Sequence, residues 1–210
     1  MLGAADVAAL KEDLQTQPIV ASRAGARHLL KFPRIHELAN DPRLLSLAAG
    51  WLQGKAMPFR ATLFDKHVGS NWLVAWHQDT ALPLTRKYSA EGWGPWSLKA
   101  GIHYAHAPAA SLCRVIALRV HLDDSRSDNG PLRVIPGTHA AGVLSDAQVV
   151  ERARRTAPVE CCTPAGGVVA MRPLLIHASS RNRSATPRRV LHIEYAASME
   201  IAPGILLQVA

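Results

Sequence analysis

Apolar positions in the first 55 residues recur at helical spacing. Val7, Leu10 and Leu14 share one face, and Ile35, Leu38, Leu44, Leu45 and Leu47 flank the turn signal Asn40-Asp41-Pro42. This stretch predicts a helical scaffold over about 1–55. From Phe59 the texture changes to short runs rich in Val, Ile, Leu and aromatics, at 59–65, 72–79, 113–122, 131–135, 167–171, 174–178 and 189–196. Such runs, parted by turn clusters at Asp128-Asn129-Gly130-Pro131, Pro136-Gly137-Thr138 and Ala165-Gly166-Gly167, predict an all-β sandwich or barrel over about 56–200. The connection from Thr80 to Ser111 carries Trp93 and Trp96 among Gly and Pro and shows no period. It reads as a long loop, either an active-site lid or a surface excursion held down by its tryptophans. Between His139 and Val159 an Ala/Val/Glu/Arg piece reads as a helix.

Length and composition narrow the class. With 210 residues and 48% hydrophobic positions, the chain suits one domain with a substantial core. No apolar run approaches the roughly 18 residues of a membrane helix, and the start, MLGAADVAALKEDLQ, lacks the features of a secretory signal, so a cytoplasmic location is expected. Three cysteines, Cys113 and the adjacent Cys161 and Cys162, form neither an even disulfide framework nor a CxxC metal pattern. The net charge of +8 and pI near 9.9 raise the question of nucleic acid. Yet the densest basic run, Arg181 to Arg189, leads straight into an apolar strand with no interleaved aromatics. A nucleic-acid partner is therefore the weaker reading beside a small anionic metabolite.

The chemistry is concentrated in a few residues. In His77-Gln78-Asp79, at the end of an apolar run, an imidazole and a carboxylate two apart on a strand share a face and can converge on one ion. A second copy of this short pattern, His121-Leu122-Asp123, leaves the choice open on composition alone. His177 ends the strand-like Leu174-Leu175-Ile176, and Arg188 follows eleven residues later where the next strand opens. Two histidines and a carboxylate on one side of an octahedral ion leave three positions free, the arrangement non-haem Fe(II) oxygenases use. Arg188 offers a planar fork for a carboxylate, and Ser179, on the same strand face as His177, a hydroxyl. Arg60 and Lys66 alternate onto one side of their run, either facing a cavity and an anion or facing solvent. His192 falls on the face of Arg188, as a core histidine or a neighbour of the metal. His103 and His106 read as solvated loop residues, and Trp72 and Trp76 as core.

These segments together resemble the phytanoyl-CoA dioxygenase-like branch of the Fe(II)/2-oxoglutarate oxygenases. The resemblance runs from Phe59 to Ala197 through Phe59-Arg60-Ala61-Thr62-Leu63-Phe64-Asp65-Lys66, Asn71-Trp72, Trp76-His77-Gln78-Asp79 and Arg119-Val120-His121-Leu122-Asp123-Asp124. It continues through Asp128-Asn129-Gly130-Pro131-Leu132, Ile135-Pro136-Gly137-Thr138-His139, His177-Ala178-Ser179-Ser180 and Arg188-Arg189-Val190-Leu191-His192-Ile193-Glu194-Tyr195. It implies a mainly β fold with flanking N-terminal helices, its core a double-stranded β-helix of the jelly-roll, cupin-like kind. It also implies Fe(II) on His77, Asp79 and His177, 2-oxoglutarate on Arg188 with Ser179 and Lys66 assisting, and O2 as the other co-substrate; Arg60, through its alternation with Lys66, is expected at the same co-substrate. His121 and Asp123 then match a strand and turn outside the metal site. Because Asp79 keeps the carboxylate that related halogenases lack, the implied reaction is hydroxylation of a small organic molecule, with succinate and CO2 released. The alternatives are a jelly-roll binding protein without turnover and a nucleic-acid-modifying oxygenase.

Overall fold

A computed structural model describes residues 2–19 and 25–210. Helices α1 (Ala4–Thr16), α2 (Pro33–Ala39) and α3 (Pro42–Leu52) come first, followed by β1 (Met57–Lys66). Proline opens both α2 and α3, where a missing N–H costs nothing, and the Asp41 side chain accepts the Arg43 amide to cap α3. The strands that follow are β2 (Val74–His77), β3 (Ala81–Leu84), β4 (Trp96–Lys99), β5 (Ile102–His106), β6 (Val115–His121) and β7 (Leu132–Val134). Then come β8 (Val159–Cys161), β9 (Val168–Met171), β10 (His177–Ser179), β11 (Arg188–Ala196), β12 (Glu200–Ala202) and β13 (Ile205–Leu206). Helix α4 (Ala109–Leu112) precedes β6, and α5 (Asp146–Arg155) precedes β8. A reciprocal Ser145/Gln148 capping box starts α5 within the segment read as helix-forming.

Two four-stranded antiparallel sheets build the core, one ordered β1-β11-β6-β9 and the other β2-β10-β7-β8. Residues from both line one central cavity, which makes the pair a jelly roll. Alternation on the larger sheet decides what faces where. Ala61 and Leu63 on β1, Leu118 and Val120 on β6, and Leu191, Ile193 and Tyr195 on β11 point outward and pack beneath Leu29, Ile35, Leu38, Leu44 and Ala48 of the helical layer. The Tyr195 hydroxyl donates to the Ala39 carbonyl at 3.0 Å, so the phenol is satisfied in that apolar layer. The opposite face carries Arg60, Thr62, Phe64 and Lys66 from β1 and Arg188, His192 and Glu194 from β11 into the cavity. The free edge of β1 is covered on the main chain by Ala26 and Ala210, whose backbone groups bond to Leu63, Phe59 and Ala61.

The segment Thr80 to Ser111, expected as one unpatterned loop, is instead folded. Its strands form a three-stranded sheet in the order β3-β5-β4, followed by α4. Leu82, Leu84 and Ala105 are buried in a second apolar cluster, with Trp93 and Trp96 packed against it. The signal was hidden by Pro83, which is tolerated because β3 is an edge strand, and by histidines at two of the five positions of β5. Thr80, Ala81, Lys99, Tyr104 and His106 from this segment border the central cavity.

Candidate metal centre

Strand pairing assembles the centre. His77 and His177 are direct partners across β2 and β10, so their imidazoles meet with centroids 4.2 Å apart. Asp79, two residues past His77, is fixed where its amide donates to the Pro173 carbonyl at 2.9 Å. Its carboxylate oxygens stand 3.5 Å from His77 Nε2 and 3.4 Å from His177 Nε2. Each Nδ1 donates at 2.8 Å to a carbonyl, that of Ala75 for His77 and that of Leu175 for His177. Since a carbonyl only accepts, both Nδ1 atoms carry the proton, and both Nε2 lone pairs turn toward Asp79 in the tautomer a metal requires. One ligand atom from each residue falls within 4.8 Å of the others. Gln78, between the two ligands, is a buried strut that donates to the Leu174 and Gly142 carbonyls and accepts the Leu144 amide.

Charge in this group is strongly perturbed. Burial drives His177 down to about 4, which keeps it neutral as a ligand. Burial presses hardest on His77, but the Asp79 carboxylate beside it and the carbonyl its ring faces together outweigh that and leave it above the ordinary histidine value. Burial works against the Asp79 carboxylate, yet the surrounding histidines hold it well below the usual carboxylate range. The donor set, two neutral-capable nitrogens and one ionised oxygen, fits a divalent first-row ion.

The cavity above these residues measures about 390 Å³. At its buried end Lys66 and Arg188 are register partners on β1 and β11 and are 1% and 2% exposed. Arg188 Nη2 donates to Ser179 Oγ at 3.4 Å, while its Nε and Nη1 have no partner. Lys66 Nζ donates to Ser179 Oγ at 2.8 Å and to the Ser180 carbonyl at 2.5 Å. Ser179 Oγ in turn donates to the Gly130 carbonyl at 2.9 Å. Gly130 has φ +71°, and a Cβ there would lie 2.3 Å from the Ser180 carbonyl, so glycine is required. Burial, with Arg119 beside it, lowers Arg188 to about 9. Burial with Arg188, Arg119 and Arg133 lowers Lys66 to about 7. Two buried basic groups with no carboxylate bonded to them, and with the Arg188 Nε and Nη1 donors unspent, make a receptacle for an anion.

The chain has relatives among known proteins. The profile of the phytanoyl-CoA dioxygenase (PhyH) family matches residues 6–190. The chain belongs to the phytanoyl-CoA dioxygenase family. L-proline trans-4-hydroxylase from Streptomyces griseoviridis is 31% identical over 186 residues, which cover 75% of this chain and 61% of that enzyme. The chain thus spans less than two thirds of that curated relative. Among solved structures, EctD from S. alaskensis with bound Fe superposes with a TM-score of 0.69 at 22% identity, covering 94% of this chain and 70% of EctD. HygX from Streptomyces hygroscopicus with nickel and 2-oxoglutarate bound gives 0.66 at 17% identity, covering 94% and 80%. These likenesses show the jelly-roll fold.

Within this family member the remaining candidates sort by place. Arg60 lines the cavity, but opposite Glu194 and six residues along β1 from Lys66. Its Nε bonds to the Glu194 carboxylate and its Nη1 donates to the Ala81 carbonyl at 2.9 Å. It therefore stands at the end away from Arg188. His121 and Asp123 are not in the cavity wall: His121 is buried with neither ring nitrogen bonded, and Asp123 pairs with Arg189 at 2.8 Å and Lys11 at 2.7 Å. His192 lines the cavity, and its Nδ1 accepts from Arg119 Nη1 at 3.1 Å. His106 also lines it and bonds to Thr80 Oγ1 at 2.7 Å. Trp72, read as core, lies in the cavity wall with Lys66 Nζ 5.5 Å from its ring centre. Arg119, Glu194, Tyr104, Lys99 and Arg27 also line the site and escaped the sequence reading. For Arg119 a signal existed: on β6 it shares a face with His121 amid apolar neighbours.

Proposed function

We propose that the protein is an Fe(II)- and 2-oxoglutarate-dependent dioxygenase that hydroxylates a C–H bond of a small organic molecule. The observation that carries this reading is the pairing of a His77/Asp79/His177 ligand set with the unbonded, buried donors of Arg188 at the far end of the same cavity. Iron bound there with 2-oxoglutarate and O2 supplies the oxidising power, with succinate and CO2 as co-products. The chain's own part is to bind, orient and exclude water. Arg188, with Ser179 and Lys66, grips the distal carboxylate of the five-carbon diacid. The carbonyls of Ala75 and Leu175 fix the ring orientation of both histidines. Phe64 and Leu132 supply apolar wall beside the reacting centre.

Arg60 serves the substrate rather than the co-substrate. It closes the floor of the exposed end with Glu194, and Arg27 and Lys99 stand at the mouth. With Glu194 already paired to Arg60, the exposed Lys99 ammonium leaves positive charge at this end, which favours a substrate with a negative group. The proline substrate of the related hydroxylase, an amino acid with a carboxylate, is the natural first probe.

The test is anaerobic titration of the Fe(II)-loaded protein with 2-oxoglutarate, following the charge-transfer absorbance of the metal and keto acid. The parent develops the band and binds one equivalent. Losing a partner of a buried charge pair costs about 2 to 5 kcal/mol, so Arg188→Ala should weaken binding at least 30-fold, and Arg188→Lys less, with Fe(II) binding retained in both. Absence of the band in the parent overturns the proposal.

A further inference from the structure

A second buried guanidinium faces the same cavity. Arg119 is 6% exposed and lines the wall from β6, directly opposite His192 on β11. Its Nη1 donates to His192 Nδ1 at 3.1 Å, and its guanidinium carbon lies 5.3 Å from the centre of the Phe64 ring. Its Nε is buried without a partner, and no carboxylate among the described residues lies within ion-pair distance. Because arginine only donates, His192 Nδ1 must be the bare nitrogen, so His192 meets Arg119 as a neutral acceptor. A buried cation whose only side-chain partner is neutral lacks the counter-charge such groups normally have.

Its position tells which anion that is. Arg188 lies four residues from His192 along β11, roughly 13 Å of strand, and marks the far end of the co-substrate. Arg119 sits level with His192, and the carboxylate whose charge it feels most is that of Asp79. At the other end Arg60 already has Glu194. Arg119 therefore stands beside the metal ligands, between the two ends. Resting on the reading of this site as a 2-oxoglutarate site, we infer that Arg119 binds the keto-acid end of the co-substrate, its C1 carboxylate, while Arg188 binds the distal one. Recognition is then divided between two guanidiniums, and any 2-oxo acid meets the first of them.

The two contributions separate with 2-oxovalerate, which keeps the keto acid and the five carbons but lacks the distal carboxylate. Anaerobic Fe(II) protein is titrated with each acid, following the charge-transfer band. One hydrogen bond to a charged group is worth about 10- to 100-fold in affinity. Arg119→Gln should therefore weaken 2-oxoglutarate and 2-oxovalerate alike by about that factor, with Arg119→Lys, which keeps the cation but loses the fork, in between. Arg188→Gln should weaken 2-oxoglutarate strongly and change 2-oxovalerate by no more than about twofold. Fe(II) affinity without keto acid should stay within about twofold of the parent in the Arg119 variants. Parental affinity for 2-oxovalerate in both Arg119 variants overturns the inference, as does a loss of Fe(II) binding in the absence of keto acid, which would make Arg119 a support of the triad. A parent that shows no band with 2-oxoglutarate overturns the co-substrate assignment itself.

Discussion

His77, Asp79 and His177 converge from β2, the link just beyond it and β10, so each supplies a donor that no neighbour replaces. Replacing any one with alanine should abolish stoichiometric Fe(II) binding under anaerobic conditions, measured by calorimetry, whereas His121→Ala should keep it, since His121 lies outside the cavity wall. Lys66 gives the site a pH dependence of definite sign. Burial first, and then Arg188, Arg119 and Arg133, lower it to about 7, and a bound dianion favours its charged form. Below that value the amine is already protonated and 2-oxoglutarate affinity should be flat. Above it, binding must take up a proton, and affinity should fall by up to about tenfold per pH unit. Lys66→Met should flatten the profile, and calorimetry in buffers of different ionisation enthalpy would register the proton uptake. The pattern HxD could not by itself be told from its second copy. What separates the two is that Asp123 is spent on Arg189 and Lys11, a pairing across positions distant in the chain.

That clamp belongs to the scale of elements, because it ties the start of β11 to the end of β6 and to α1. Burial works against the Asp123 carboxylate, but its bonds to Arg189 and Lys11 prevail and hold it below the ordinary aspartate value. A depressed folded value means the stabilisation is present above the unfolded value near 3.8 and is lost as pH falls through the lower, folded one. Asp123→Asn should cost about 1 to 3 kcal/mol at neutral pH, a difference that shrinks below about pH 4 in denaturant titrations. In the layer between sheet and helices, Leu118 is fully buried, and Leu118→Ala should cost about 2 to 5 kcal/mol in the same measurement. The long strands β1, β6 and β11 were legible from their apolar runs. The sheet β3-β5-β4 was not, since its strands are four or five residues long and interrupted by Pro83, His103 and His106, and its pairing is made by neighbours rather than by period.

Across the whole molecule, charge is graded along the cavity, from Lys66 and Arg188 at the buried end to Arg27 and Lys99 at the mouth. If the mouth receives a carboxylate, Lys99→Glu should raise the KM for a carboxylate substrate by about 3- to 10-fold, the modest size expected of an exposed charge, with 2-oxoglutarate affinity unchanged. The readout is succinate release with L-proline and with prolinamide, the amide being unaffected by the substitution. No described helix is long and apolar enough to cross a membrane. The sequence by itself determined the order of helices before strands, which residues share a face on β1 and β11, and the short list containing His77, Asp79, His177 and Arg188, because periodicity and residue chemistry are local properties. Only the tertiary structure decided that His77 and His177 are cross-strand partners, that Arg60 is matched to Glu194 away from Lys66, and that Arg119 faces the cavity beside His192. Those outcomes depend on strand register and on which sheet faces which. They are set by packing between residues up to 134 positions apart, which no window along the chain contains.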